Sequence, residues 1–259
     1  MKMQGHDDDD DDDWLASSHY AGGLKQAPRR ELRMPRSGCT LSIEQRPPAD
    51  TASLWATGGG AVLWEAAEHV VTLLDATFAP DGLSDQRCVD VSAGSGACGL
   101  ACAALGAKRT MLTDLPEALP LLRANAAASA WAERLEVHEL RWADAPPPPS
   151  CADAALCVCV DCIYQPEHYA ALAATLARLC ARRYLLAWAP RERGEEAFVA
   201  RLVDEHGFVV DDEATEASTA VLAGAVDAQS RGVRAVWLTL SGAPLDYGAR
   251  TGAARGLVR

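Results

Sequence analysis

The sequence predicts an α/β fold in which a doubly wound, mostly parallel sheet carries an antiparallel pair at one edge. Three observations lead there. Short apolar runs alternate with stretches of helical periodicity between Arg87 and Cys180, the tempo of a parallel sheet. A turn of small residues around Gly94 and Gly96 joins the first of those runs to a helix. After Trp188 the tempo changes, and two strand-like runs follow with no good helix between them.

In order, Ala61 to Leu74 carries Val62, Leu63, Ala66, Ala67, Val70, Val71 and Leu74 at helical spacing behind Gly58 to Gly60. Strand and helix then alternate: Arg87 to Val91 and Ala97 to Leu105; Arg109 to Thr113 and Glu117 to Ala128; Leu135 to Leu140; Leu156 to Val160 and Glu167 to Cys180. Tyr184 to Trp188 and the helix Glu195 to Glu205 come next, then the two runs Phe208 to Asp212 and Val233 to Leu240. These last two read as the antiparallel edge pair. Residues 1–38 combine an aspartate run with Gly, Ser, Pro and the basic cluster Arg29, Arg30, Arg33 and Arg36, and are expected to be a disordered tail. One folded domain spans residues 39–242, and residues 243–259 form a loose C-terminal tail.

The chain has 259 residues, 49% of them hydrophobic, enough for one large core and no second full domain. Its formal charge is -12, but Asp7 to Asp13 supply seven of the negative charges and the remainder carries only -5. A nucleic-acid backbone needs a concentrated Lys/Arg surface, so this balance argues against that partner. No apolar stretch is long enough to cross a bilayer, and no membrane partner is expected. The N-terminus runs into aspartates rather than a cleavable apolar segment, which points to the cytoplasm, with the nucleus also open.

Nine cysteines, at 39, 88, 98, 102, 151, 157, 159, 162 and 180, mostly sit inside apolar runs, as reduced thiols acting as small hydrophobes do. Cys157, Cys159 and Cys162 are close enough to invite a zinc reading. Alternation in a buried strand instead puts Cys157 and Cys159 on one face, and no second Cys or His pair follows at zinc spacing. No metal is expected.

A doubly wound sheet binds its ligand at the carboxyl ends of its strands, and the informative residues cluster there. The segment Val89-Asp90-Val91-Ser92-Ala93-Gly94-Ser95-Gly96 leads to Gly99 through side chains small enough for the backbone to approach a ligand. Gly94, Gly96 and Gly99 alone also fit a dinucleotide site. Asp90 breaks the tie, because a carboxylate near the end of the first strand suits a cationic aminoacyl ligand better than an apolar nicotinamide. Asp114, followed by Leu115, closes the second strand where a carboxylate accepts hydrogen bonds from two ribose hydroxyls.

These residues resemble the S-adenosylmethionine-binding motifs of seven-strand, Rossmann-like methyltransferases. Further blocks are similar to the protein-lysine methyltransferases that modify chaperones, translation elongation factors and valosin-containing ATPases. They are Gly60-Ala61-Val62-Leu63-Trp64-Glu65-Ala66-Ala67, Leu140-Arg141-Trp142 and Asp161-Cys162-Ile163-Tyr164, and the similarity runs from roughly residue 41 to 240. The resemblance implies S-adenosylmethionine as cofactor, a seven-stranded sheet, and a monomer that methylates a lysine of a protein such as a chaperone, translation factor or ATPase. It implies that Asp90, Ser92, Gly94 and Gly96 line the methionine side, with Asp114 and Leu115 at the ribose and Trp142 on the adenine. It places Asp161 and Tyr164 at the reacting amine, Asp161 also bordering the cofactor, and Trp64 in support of the pocket.

Ser92 stands where the family has a glycine; if that backbone needs a positive φ, serine costs about 1–2 kcal/mol there. Two rival functions share the scaffold: a small-molecule N- or O-methyltransferase, since loops rather than fold choose the acceptor, and a non-catalytic cofactor-binding interaction protein. A nicotinamide dehydrogenase is disfavoured by Asp90.

Overall fold

The structure, a computed structural model, describes residues 23–47, 59–143, 147–152, 154–191, 193–225 and 232–241. The aspartate run and the tail from Ala243 lie outside them. A seven-stranded sheet is built from β3 (Arg87–Val91), β4 (Arg109–Asp114), β5 (Leu135–Glu139), β6 (Leu156–Val160), β7 (Arg183–Trp188), β8 (Phe208–Val210) and β9 (Arg234–Leu240). Its order is β5-β4-β3-β6-β7-β9-β8. The first five strands are parallel neighbours, whereas β9 runs antiparallel to both β7 and β8. The expected mostly parallel sheet with an antiparallel edge pair is what forms.

The central strands are legible because both of their faces are covered. In β6, Cys157 and Cys159 face one apolar cluster with Tyr184 and Leu186, while Leu156 and Val158 face the other. Helices α3 (Ala97–Ala104), α4 (Leu119–Ala128), α5 (Tyr169–Leu179) and α6 (Glu195–His206) follow β3, β4, β6 and β7. The leading helix α2 (Glu65–Phe78) begins four residues later than the periodicity indicates, since Ala61 to Leu63 are a buried, non-helical approach to it. The reversal of strand order at β3 and β6 opens a crevice above their carboxyl ends.

Two expectations are corrected. The segment before residue 39 is not a structureless tail throughout. A short helix α1 (Gly23–Gln26) leads into β1 (Arg29–Met34), which pairs antiparallel with β2 (Cys39–Glu44). The arginines conceal a strand alternation: Arg30, Leu32 and Met34 turn inward while Arg29, Glu31 and Arg33 face out. Arg30 is buried against Glu68 of α2 at 2.7 Å, and the carboxylate of buried Asp75 accepts the N–H groups of Arg36 (2.8 Å) and Ser37 (2.9 Å) at the hairpin turn.

The second correction concerns the stretch after β8, where helix α7 (Asp212–Ala225) stands in place of the expected connection without a helix. Asp211 Oδ1 accepts the N–H of Ala214 (3.1 Å), so the aspartates that look like a strand's polar end are a helix start. Few apolar side chains mark this helix. Leu222 is buried, and Ser218 accepts the indole N–H of buried Trp237 at 2.7 Å.

Candidate functional site

The loop leaving β3 is shaped by close packing. Gly99 lies in the first turn of α3, and a Cβ there would come within 2.0 Å of the Leu112 side chain. Its N–H donates to Asp90 Oδ2 at 2.7 Å. The Asp90 side chain is thereby fixed against the start of α3, only 3% exposed. Ahead of the helix, Ser92 adopts φ +57°, the left-handed region expected to penalise a serine. The Ala93 N–H donates to the Thr113 carbonyl (2.9 Å), tying the loop to β4.

Asp114 ends β4 and receives two backbone N–H groups, from Gly94 at Oδ2 and from Leu115 at Oδ1, both at 2.7 Å. A carboxylate offers about four lone-pair sites, so each oxygen keeps capacity for a ligand hydroxyl. Burial pushes Asp90 up to about 7, opposed by the Gly99 N–H and aided by the charge of Asp114. Asp114 is pushed up to about 6 by burial, with the Gly94 and Leu115 N–H groups opposing. Two carboxylates that resist ionisation when alone form a natural receptor for a cation.

On the other side of the crevice, Asp161 follows β6 in a left-handed conformation (φ +58°), its N–H donating to the Ala187 carbonyl at 2.8 Å. Its carboxylate accepts two hydrogen bonds from the guanidinium of Arg191, from Nη1 to Oδ1 at 2.6 Å and from Nη2 to Oδ2 at 2.8 Å. The N–H of Ala189 adds a third at 3.2 Å. Burial disfavours the Arg191 charge, but Asp161 outweighs it and holds the guanidinium above its ordinary range. Glu195, at the start of α6, accepts the N–H groups of Arg191 (2.7 Å) and Arg193 (3.0 Å) and so fixes the loop that carries the arginine.

One pocket gathers these groups. Trp64, Asp90, Ser92, Gly94, Asp114, Leu115, Trp142, Asp161 and Tyr164 all line it. Gly96 does not. It caps α3 in the left-handed region (φ +92°) and faces the side chains of Leu122 and Leu100 instead, so its part is to turn the chain. Trp64 donates its indole N–H to the Gly59 carbonyl (2.9 Å), which fixes the ring at the pocket wall. Trp142 stands edge to face with His168, ring centroids 6.3 Å apart. Burial pushes the Tyr164 phenol well above its usual range, so it stays protonated.

The sequence gives no sign of Arg191 or of His168 as pocket residues. Arg191 follows an apolar strand as one arginine among several, and its partner is 30 residues away. His168 has a weak signal in its position just ahead of α5, on the same side of the sheet as the other strand exits. Two further polar residues bind the pocket to the hairpin. Gln45 accepts the Leu63 N–H (2.7 Å) and donates to the carbonyls of Leu24 (3.0 Å) and Ala27 (2.7 Å). Asn125 accepts the Glu44 N–H (2.8 Å) and donates to the carbonyls of Glu44 (3.0 Å) and Ser95 (2.9 Å).

Comparison with known proteins bears on the family and the fold. A family model described as lysine methyltransferase matches residues 48–205. Among solved structures, the fold is similar to magnesium protoporphyrin IX methyltransferase from Synechocystis with bound S-adenosylmethionine. That likeness has a TM-score of 0.51 at 15% identity and covers 93% of this chain and 100% of the other. A protein of Streptococcus mutans described as a candidate S-adenosylmethionine-dependent methyltransferase is similar at a TM-score of 0.50 and 9% identity, covering 83% of this chain and 56% of that one. No curated protein matches. The cofactor is S-adenosylmethionine, and the paired carboxylates at the ends of β3 and β4, beside a backbone cradle of small residues, suit its cationic end and its ribose.

Proposed function

Because the chain belongs to the lysine methyltransferase family, and is thus an S-adenosylmethionine-dependent methyltransferase, we propose that its acceptor is a lysine side chain of another protein. The observation that carries this reading is the position of Asp161 and Tyr164: both line the same pocket as Asp90 and Asp114, opposite the β3 loop. Bound there, S-adenosylmethionine would supply an electrophilic methyl group for an amine lone pair, the carbon–sulfur electron pair going to sulfur and the amine's proton to solvent.

The protein's contribution is chiefly placement, which can supply much of the rate of an in-line displacement. Asp90 balances the ligand's positive charge, Asp114 takes the ribose hydroxyls, and Trp142 packs on the adenine. Trp64 and Leu115 close the walls, while Ser92 and Gly94 bring backbone close to the methionine moiety. Asp161 accepts a hydrogen bond from the incoming amine, and Tyr164 bounds the slot through which it enters.

A lysine must first lose a proton, at a cost of about 4.6 kcal/mol at pH 7. A bare carboxylate beside it raises that cost, and the arginine on Asp161 offsets the effect. A protein acceptor of the chaperone, translation-factor or ATPase kind fits this reading, with the chain acting as a monomer. Incubating the purified protein with a cell lysate and labelled S-adenosylmethionine tests it. Label is expected on lysine of a discrete protein when mapped by mass spectrometry; label confined to small molecules overturns the proposal.

A further inference from the structure

Three aspartates line the pocket, and the structure treats them differently. Asp90 and Asp114 accept only backbone N–H groups among the described residues, whereas Asp161 is matched by a guanidinium in a bidentate pair. The pair is well shielded, with side chains 6% and 8% exposed. The pocket's other arginine, Arg141, is turned to Glu139 at 3.0 Å on the half-exposed rim. Charge is therefore compensated at one end of the pocket and left open at the other.

We propose that Arg191 is a positioning residue for methyl transfer: it locks the Asp161 carboxylate in place and cancels its charge, so that the acceptor end presents a neutral hydrogen-bond acceptor. Geometry supports both halves of this role. The two parallel hydrogen bonds fix the carboxylate plane as a single contact cannot. The loop bearing Arg191 is itself held by Glu195, through the N–H groups on either side of residue 192. With Asp161 neutralised, attraction for the cationic cofactor falls to Asp90 and Asp114. On the amine reading proposed above, an incoming lysine is then oriented without being held as ammonium.

The test uses the cofactor and its demethylated product alone, so it stands or falls independently of the acceptor's identity. S-adenosylmethionine carries a sulfonium charge that S-adenosylhomocysteine lacks. The ratio of their affinities therefore reports net charge at the reacting end. Titrating the full chain by calorimetry at about pH 8.5, above the values of about 7 and about 6 to which burial pushes Asp90 and Asp114, directs the comparison to Asp161 and Arg191. Asp161→Asn, which removes the carboxylate paired with the guanidinium, is expected to lower the preference for S-adenosylmethionine about tenfold. Arg191→Met is expected to raise it, Arg191→Lys to keep it within about twofold, and the Asp161→Asn/Arg191→Met double variant to restore it. A ratio unmoved by Asp161→Asn, or the two ligands weakened in parallel by Asp161→Asn and Arg191→Met, overturns the proposal and leaves the pair a purely structural tie. Should Arg191→Met fail to fold, Asp161→Asn with Arg191→Lys decides the question.

Discussion

Asp161 and Arg191 come from loops 30 residues apart, yet their side chains meet through two hydrogen bonds of 2.6 and 2.8 Å at a site almost closed to water. Removing one member of such a pair strands a buried charge, which typically costs about 3–5 kcal/mol. Removing both leaves none stranded. Asp161→Ala and Arg191→Ala are thus expected to destabilise the protein strongly and individually, and the double variant by clearly less than their sum. Urea denaturation of the four proteins checks this, and additive losses would show the partners to be uncoupled.

Asp90 opposes stability while it serves binding. Its folded-state pKa, pushed up to about 7, exceeds the ordinary carboxylate value, so the native state holds this proton more tightly than the unfolded chain does. The sign follows directly: the ionised group destabilises the fold progressively as pH rises from about 4 to 7, by on the order of 4 kcal/mol once it is fully charged. Asp90→Asn is expected to raise the thermal midpoint of the ligand-free protein at pH 8, by less at pH 5, while weakening S-adenosylmethionine severely. An unchanged midpoint together with unchanged affinity would contradict both roles.

The same shifts make cofactor capture pH dependent. A bound cation favours the charged forms of Asp90 and Asp114, so binding near pH 6–7 expels protons and affinity climbs with pH until both groups are ionised. Calorimetry in two buffers of different ionisation enthalpy should detect the released protons near pH 6.5 and none at pH 9. Proton uptake would reverse the assignment.

Ser92 holds a left-handed backbone that glycine adopts freely. Relief of about 1–2 kcal/mol in the native state is partly cancelled by glycine's greater freedom when unfolded, leaving a net gain of about 0.5–1 kcal/mol for Ser92→Gly. Denaturant midpoints measure that gain, and a loss would mean that the hydroxyl contributes more than the strain costs.

Much of this architecture is legible in the chain because the central strands are uninterrupted apolar runs and the strand exits carry small residues and carboxylates. Where legibility fails, the cause is local. The strand Arg29–Met34 hides because its outward positions are all charged and one of its inward positions is itself an arginine, buried against Glu68. Helix Asp212–Ala225 hides because its first turn is acidic and its apolar face is narrow. Asp90, Asp114 and Asp161 are found by motif, but Arg191 needs the fold, since nothing near it in sequence marks its partner. Gly96, a motif glycine expected at the ligand, stands outside the pocket lining and turns the chain ahead of its helix.

Asn125 joins three segments at once, and loss of its side chain should be felt in two measurements. Asn125→Ala removes hydrogen bonds to both the N–H and the carbonyl of Glu44 and to the carbonyl of Ser95, with an expected cost of about 2–4 kcal/mol. Because Ser95 lines the pocket, affinity for S-adenosylmethionine should fall as well. A destabilised variant with full affinity would separate the hairpin from the site.

That junction also orders events during synthesis. Glu44 leaves the ribosome 81 residues ahead of Asn125, so its backbone N–H and carbonyl gain these partners only once the second βα unit has been made. The hairpin's tie to the Ser95 loop therefore closes only after β3 and β4, the two strands that carry the crevice's carboxylates Asp90 and Asp114, have been made.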